Sequence, residues 1–146
     1  MSKKIIVGYI PGCWDILHAG HLNILEKAKS VCDILVVGCP SDEVVIEDKG
    51  KPPIIPHDQR VRMLEALKCV DTVLLYRRLD FIREMEAVDA DVLIVGSTWG
   101  KDERHQRAEA FIEQKDGKVI QFQYTDGVST TQIKEKIINQ HTEDQA

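Results

Sequence analysis

The sequence predicts a doubly wound α/β fold, with about five parallel strands and helices on both faces of the sheet. Three observations carry that expectation. Short β-rich runs recur along the chain, each apolar on both faces or nearly so, as strands covered from both sides must be. Between them lie segments whose apolar residues repeat at helical spacing, so strand and helix alternate along the chain. At 146 residues the chain is long enough for one independent core and too short for two ordinary domains.

In order, strands are expected at residues 5–10, 34–38, 72–76, 92–96 and 119–122. The helical segments carry Leu22, Leu25 and Ala28, then Val61, Leu64 and Leu67, then Phe81, Ile82, Met85 and Val88, and last Ile133, Ile137 and Ile138. The first of these helices is expected to begin near Leu22. Right-handed βαβ connections result from the alternation, and they place a ligand at the carboxyl ends of the strands, where the strand order switches. The stretch from Glu47 to Pro53 reads as a polar, hinge-like loop. Residues 1–138 form the predicted domain, and the polar residues 139–146 are expected to fray as a tail.

The charge balance narrows the function classes. Nineteen Lys and Arg oppose 24 Asp and Glu, a net charge of −5 with no long basic run, which argues against a protein that binds nucleic acid by neutralising many phosphates. Small anionic ligands remain open, because the geometry of a site outweighs net charge. Cys13, Cys32, Cys39 and Cys69 lack CxxC spacing and are expected to be reduced thiols in a cytoplasmic protein, with Cys39 and Cys69 in the core. No apolar stretch approaches the roughly 20 residues of a membrane helix. Met1 to Lys4 lead straight into the first strand-like run, so neither a signal peptide nor a membrane partner is expected.

The fingerprints GxGxxG after the first strand and GxxxxGK[ST] are missing, which argues against a dinucleotide enzyme and a P-loop NTPase. Instead, the first strand gives way to Gly12-Cys13-Trp14-Asp15-Ile16-Leu17-His18-Ala19-Gly20-His21 and then a helix. Two imidazoles three residues apart can face one small object beside the unpaired N–H groups of a first helical turn, and the natural ligand there is an anion. Gly20 is expected to let a phosphate approach the backbone, while imidazole N–H groups stabilise charge on a phosphoryl oxygen. Metal ligation with Cys13 and Asp15, and plain helix capping, are the competing readings. Before the last helix, Tyr124-Thr125-Asp126-Gly127-Val128-Ser129-Thr130-Thr131 places Ser129 and Thr130 as an N-cap and first-turn pair, either a simple cap or a second anion site. Lys49 and Lys51 stand in the loop, with Arg60 on the next helix; lysine pairs of this kind are usually solvated surface.

Taken together, His18-Ala19-Gly20-His21 and Gly127-Val128-Ser129-Thr130-Thr131 resemble the two signatures, H-x-G-H and G-I-S-T-T, of a family of nucleotidyltransferases. The resemblance runs from about Ile5 to Ile138 and takes in Ser41-Asp42-Glu43, Pro56-His57-Asp58-Gln59-Arg60 and Val70-Asp71-Thr72-Val73. Its pattern is nearest to the glycerol-3-phosphate cytidylyltransferases, with the adenylyltransferases of heptose 1-phosphate activation as near relatives. It implies a Rossmann-like enzyme that transfers CMP from CTP to a small polyol phosphate such as glycerol 3-phosphate, releasing pyrophosphate and forming a CDP-alcohol. Adenylyl transfer from ATP to a sugar phosphate or other small phosphate is the alternative, and a non-catalytic nucleotide-binding module is a further one.

The resemblance also implies roles. His18 and His21 would stabilise charge at the α-phosphorus, Lys49 and Lys51 would close over the phosphates, and Arg60 and Lys68 would bind substrate. Gly12, Cys13, Trp14 and Gly20 would bring backbone against the nucleotide, and Asp15 would hold the histidine turn or the metal-triphosphate. Thr98 would face the base, and Thr125, Gly127, Ser129 and Thr130 would grip the β- and γ-phosphates. Mg²⁺ would arrive with the triphosphate rather than in a protein metal site, and a homodimer is the expected assembly. Three positions depart from the pattern. Thr98 stands where the family carries an acid, Lys68 where the cytidylyltransferases carry arginine, and Tyr124 where an arginine opens the second signature. The heptose-related adenylyltransferases tend to have an aromatic residue at the Tyr124 position. Trp99 is expected either to stack on a base or to pack a lid.

Overall fold

In the computed structural model, which describes residues 4–100, 102–124 and 127–144, the five strands form one sheet in the order β3-β2-β1-β4-β5, and every paired neighbour is parallel. The chain runs β1 (Val7–Pro11), α1 (Ala19–Ser30), β2 (Ile34–Pro40), α2 (Asp42–Lys49), α3 (His57–Glu65), β3 (Thr72–Tyr76), α4 (Ile82–Ala87), β4 (Val92–Val95), α5 (Glu103–Gln114), β5 (Lys118–Gln121) and α6 (Thr130–Asp144). The predicted doubly wound α/β fold is therefore the observed one. Its switch point lies at β1, which pairs with β2 on one side and β4 on the other.

Alternation along the strands builds the two layers of core. Ile10, Val37 and Ile94 pack with Leu25, Ala28 and Leu64 on one face, while their neighbours Tyr9, Val36 and Leu93 pack with Phe81, Met85 and Ile112 on the other. Gly38 belongs to this arrangement, because a Cβ there would lie 2.0 Å from the Tyr9 hydroxyl oxygen. That hydroxyl is wholly buried and has no hydrogen-bond partner among the described residues. Burial accordingly holds the Tyr9 phenol well above its ordinary pKa.

A repeated device sets the amino ends of the strands. Asp33, Asp71 and Asp91 each immediately precede a strand, and their carboxylates accept the backbone N–H of Ile6, Leu35 and Val7 at 2.7, 2.7 and 2.9 Å. In return their own N–H groups donate to the carbonyls of the same three residues. Burial pushes the Asp71 and Asp91 carboxyls up, yet the backbone donors, with Lys29 and Lys4 respectively, outweigh it and hold both below the ordinary range. The first strand starts at Val7 rather than Ile5, with Ile6 joined to Asp33 and Ile34 just ahead of it.

Two helices escaped the periodicity. α2 buries only Val44 and Val45, and α5 only Ala108 and Ile112, so neither shows a broad apolar stripe. Ser41 caps α2, accepting from Val44 N–H, and the helix continues through Glu47, Asp48 and Lys49 to its C-cap at Gly50. The expected loop therefore starts at Gly50, and Lys49 belongs to the last turn of α2. α1 starts at Ala19, earlier than expected, and turns Ile24, Leu25 and Ala28 inward while Leu22 points out. α6 runs on through the expected tail to Asp144, buries no residue, and leaves Ile137 and Ile138 exposed, so these isoleucines do not form a core face.

The best-connected buried group is Arg60 of α3, only 1% exposed. Its guanidinium donates to the carbonyls of Ile55 at 2.9 Å and Cys13 at 2.8 Å, to Asp42 Oδ1 at 2.8 Å and to Cys39 Sγ at 3.4 Å. A lysine offers no such fork, so Arg60→Lys is expected to cost about 2–3 kcal/mol of unfolding free energy, read as a lower urea midpoint. Tyr9→Phe removes an unsatisfied buried hydroxyl and is expected to be neutral or to stabilise by about 1 kcal/mol. A loss of stability in Tyr9→Phe would mean that the hydroxyl has a partner after all.

Candidate active site

The carboxyl ends of the strands open into a cleft of about 670 Å³, bounded by the turn after β1, the start of α1, the α2 to α3 connection and the start of α6. Of the residues expected to serve the site, Gly12, Cys13, Trp14, Asp15, His18, Gly20, His21, Lys49, Lys51, Thr98, Gly127, Ser129 and Thr130 line it. Thr125 lies outside the described residues.

The two histidines meet through a capping box. His18 is the N-cap of α1: its Nδ1 accepts from Gly20 N–H at 3.0 Å, and His21 Nδ1 accepts from His18 N–H at 3.2 Å. A ring nitrogen that accepts carries no proton, so each neutral imidazole has its hydrogen on Nε2. The rings stack with centroids 3.9 Å apart. Burial lowers both imidazole pKa values, and for His21 burial and the neighbouring His18 bring it to about 4. Both are therefore neutral Nε2–H donors at neutral pH. Gly20 lines the cleft and has a further reason to lack a side chain, since a Cβ there would lie 2.8 Å from His18 Cε1. The missing side chain makes room for the imidazole itself.

α6 is fastened to this pair. The Thr130 hydroxyl donates to the Asp15 carbonyl at 2.9 Å, which leaves its oxygen to accept from His18 Nε2, 3.4 Å away. Ser129 caps the helix by accepting from Gln132 N–H at 3.1 Å. The cap reading of these hydroxyls is thus part of the geometry, and the first-turn N–H groups of α6 stay available to an anion beside those of α1. The chain reaches this arrangement through left-handed backbone at Trp14 and Ile16, with φ of 59° and 51°. Trp14 Nε1 donates to the Gly38 carbonyl at 2.9 Å and steadies that turn. The Asp15 carboxylate accepts from Ile54 and Ile55 N–H at 2.8 and 2.9 Å, so it anchors the segment just beyond Lys51.

Two of the expected substrate-binding residues stand away from the cleft. Arg60 does not line the cleft; it lies beneath it and holds the Cys13 carbonyl. Lys68 is exposed just before β3, at the amino ends of the strands, the opposite end of the sheet from the cleft. Trp99 stacks on His105 at 3.8 Å between centroids, sits tilted against Phe81 and donates from Nε1 to Glu109 at 2.7 Å, and it still lines a recess beside the cleft.

Beside the cleft, and sharing Gly12, Cys13, Lys49, Gly96, Thr98 and Tyr124 with it, lies a recess of about 190 Å³. Its walls are Tyr76, Phe81 and Trp99, with Asp48, Arg104 and His105 among them; Arg104 donates to Asp48 at 2.9 Å and so bridges α5 to α2. Neither this recess nor Lys134, which lines the cleft from α6, was expected. The α5 residues were out of reach while that helix went unread, whereas Lys134 falls one helical turn after Thr130 and carried a usable signal. Among the described residues, no group of three or more His, Cys, Asp and Glu side chains is arranged to hold a metal ion.

Comparison with known proteins agrees with this geometry. The bifunctional protein HldE of Citrifermentans bemidjiense is 36% identical over 141 residues, covering 96% of this chain and 28% of that protein. HldE of Helicobacter pylori J99 is 38% identical over 143 residues, covering 97% of this chain and 29% of that protein. The chain thus spans under a third of the length of these relatives. The lipopolysaccharide core biosynthesis protein of Thermoplasma volcanium superposes with a TM-score of 0.68 at 27% identity, over 84% of this chain and 98% of that one. Pantoate-beta-alanine ligase of Francisella tularensis shares the fold, with a TM-score of 0.56 at 16% identity, over 92% of this chain and 69% of that one. The cytidylyltransferase-like family matches residues 9–136, nearly the whole sheet and both helix termini that face the cleft, and the chain is a nucleotidyltransferase of that family.

Proposed function

We propose that this chain transfers the adenylyl group of ATP to a small sugar phosphate, releasing pyrophosphate. The observation that carries the acceptor is the recess beside the cleft. Aromatic walls at Tyr76, Phe81 and Trp99 with hydroxyl, carboxylate and guanidinium groups between them suit a polyhydroxylated ring better than a three-carbon chain. Tyr124, shared by cleft and recess, supports ATP over CTP through the aromatic residue that heptose-related adenylyltransferases tend to have there. Similarity to HldE proteins and to a lipopolysaccharide core biosynthesis protein points the same way.

In this reading an acceptor phosphate oxygen attacks the α-phosphorus in line, a new P–O bond forms, and the bond to the bridging oxygen of the leaving pyrophosphate breaks. His18 and His21 donate Nε2–H bonds to the α-phosphoryl oxygens without giving up a proton, and their fixed tautomers need no reorganisation. Lys49 and Lys51 neutralise the phosphates, and the α6 N-terminus receives the β- and γ-phosphates. Mg²⁺ enters as part of the triphosphate substrate. The reading sets the reaction in the cytoplasm and the enzyme as a symmetric dimer.

Pyrophosphate release with magnesium and a panel of sugar 1-phosphates is expected with ATP and not with CTP. Release confined to CTP with glycerol 3-phosphate would replace this reading with glycerol cytidylyl transfer. His18→Ala should lower turnover a few hundredfold, about 3–4 kcal/mol, while losing only about 1 kcal/mol of stability with the α1 cap. In an NMR titration the His21 ring should protonate near pH 4 and show the Nε2–H tautomer at pH 7. The folded state favours the neutral ring, so this contribution to stability is present above the unfolded pKa of about 6.5 and is lost as pH falls through 4. A midpoint near 6.5 would contradict the buried, backbone-anchored ring.

A further inference from the structure

The recess beside the cleft holds a charged pair whose hydrogen-bonding capacity the fold does not use up. Arg104, the second residue of α5, donates from Nη2 to Asp48 Oδ1 at 2.9 Å. Its Nε lies 3.2 Å from Asp102 Oδ2 without the alignment of a hydrogen bond, so that nitrogen is spent on an ion pair. Nη1 of Arg104 and Oδ2 of Asp48 have no partner among the described residues. His105, the next residue of α5, accepts Gly100 N–H at Nδ1 over 3.2 Å, so its neutral ring has the hydrogen on Nε2. Burial and the adjacent Arg104 hold that imidazole below its ordinary pKa, and stacking on Trp99 fixes the plane of the ring. The recess thus sets two N–H donors and a carboxylate oxygen among the aromatic walls of Tyr76, Phe81 and Trp99. A hydroxyl suits this set because it accepts from a guanidinium and donates to a carboxylate at once, whereas a phosphate would meet the two carboxylates that flank the one guanidinium. Lys49 follows Asp48 in sequence and lines both recess and cleft, so it marks the mouth where the two spaces join.

Resting on the adenylyl-transfer reading of this site, we propose that Arg104, Asp48 and His105 set acceptor specificity by binding adjacent hydroxyls at the end of the sugar remote from its phosphate. The acceptor phosphate stays at the mouth beside Lys49, where one of its oxygens meets the α-phosphorus held by His18 and His21. The hydroxyl end lies inward along the aromatic walls. One hydroxyl accepts from Arg104 Nη1 and donates to Asp48 Oδ2, and its neighbour accepts from His105 Nε2. An acceptor that lacks either hydroxyl leaves a donor or a carboxylate unpaired in a partly dry recess, and that loss is what makes a polar site selective.

The test is steady-state pyrophosphate release by the full chain with magnesium ATP, varying hexose and heptose 1-phosphates and their monodeoxy forms, in the unaltered protein and in Arg104→Gln, Asp48→Asn, His105→Phe and Arg107→Gln. Arg107 is exposed on the same helix and controls for charge. Arg104→Gln and Asp48→Asn are expected to raise the acceptor KM about tenfold, with the KM for ATP and the kcat at saturating acceptor within about twofold of the unaltered protein. His105→Phe keeps a ring on Trp99 and should show the same split. One monodeoxy acceptor should already have a KM about tenfold higher in the unaltered protein, and with it Arg104→Gln should add nothing, the mark of a contact between that hydroxyl and that side chain. Arg107→Gln should behave as the unaltered protein does. An unchanged acceptor KM in all three recess variants overturns the assignment. So does an equal rise in the KM for ATP, or a rise that is the same with every deoxy form, either of which makes the Arg104–Asp48 pair a strut between α5 and α2. If the unaltered protein releases pyrophosphate with none of the sugar 1-phosphates, the adenylyl-transfer reading fails and takes the assignment with it. Normal sugar turnover with indifferent variants removes the assignment alone.

Discussion

The buried guanidinium of Arg60 joins three stretches of chain: the turn after β1, the junction of β2 with α2, and the approach to α3. A charge this deep is costly to desolvate, and it is tolerable here because carbonyls, a thiol and the Asp42 carboxylate share its five N–H groups. The carbonyl of Cys13 is the member that matters for the site. The next two residues, Trp14 and Asp15, begin the turn whose left-handed backbone delivers His18 to the head of α1. Removing the guanidinium would leave that turn without its floor.

Above Arg60, one layer of hydrogen bonds settles both the geometry and the chemistry. Backbone N–H groups occupy Nδ1 of each imidazole, Thr130 sits at Nε2 of His18, and Asp15 ties down the segment just beyond Lys51. The same contacts that terminate α1 and α6 correctly thus hold two neutral donors and two helix N-termini toward one volume. Capping uses Nδ1 of each imidazole and the Ser129 hydroxyl, so it does not compete with an anion for the Nε2–H groups. The lysines that line the cleft have long side chains that can track a phosphate.

Strands were readable because each is buried on both faces, and continuous apolar runs such as Ile34 to Val37 leave no other reading. The prefix Asp33-Ile34, repeated at Asp71-Thr72 and Asp91-Val92, also marked the strand starts, though its meaning emerges only when the carboxylates are seen to bind neighbouring backbone. α2 was illegible because a short helix that covers the sheet with Val44 and Val45 alone has almost no periodic signal, whereas α5 carries its apolar Ala108 and Ile112 one turn apart in a mostly charged segment. At the site, the pairing of His18 with His21 was legible from their spacing. That Gly20 makes room for an imidazole, and that Arg60 works from below, depends on contacts across the fold. Lys68 shows the converse limit: a residue type that suits phosphate binding stands at the wrong end of a strand.

The aspartates at the strand starts have an effect on the molecule as a whole. They put Asp33, Asp71 and Asp91 at one pole of the sheet, while Lys49, Lys51, Lys134 and the positive ends of two helices gather at the other. Five residues of strand separate the poles by about 16 Å. That is roughly twice the screening length in physiological salt, so an anion approaching the cleft scarcely feels the acids behind it. A chain with a net charge of −5 can in this way present an attractive field to a triphosphate and guide it in by its own polarity.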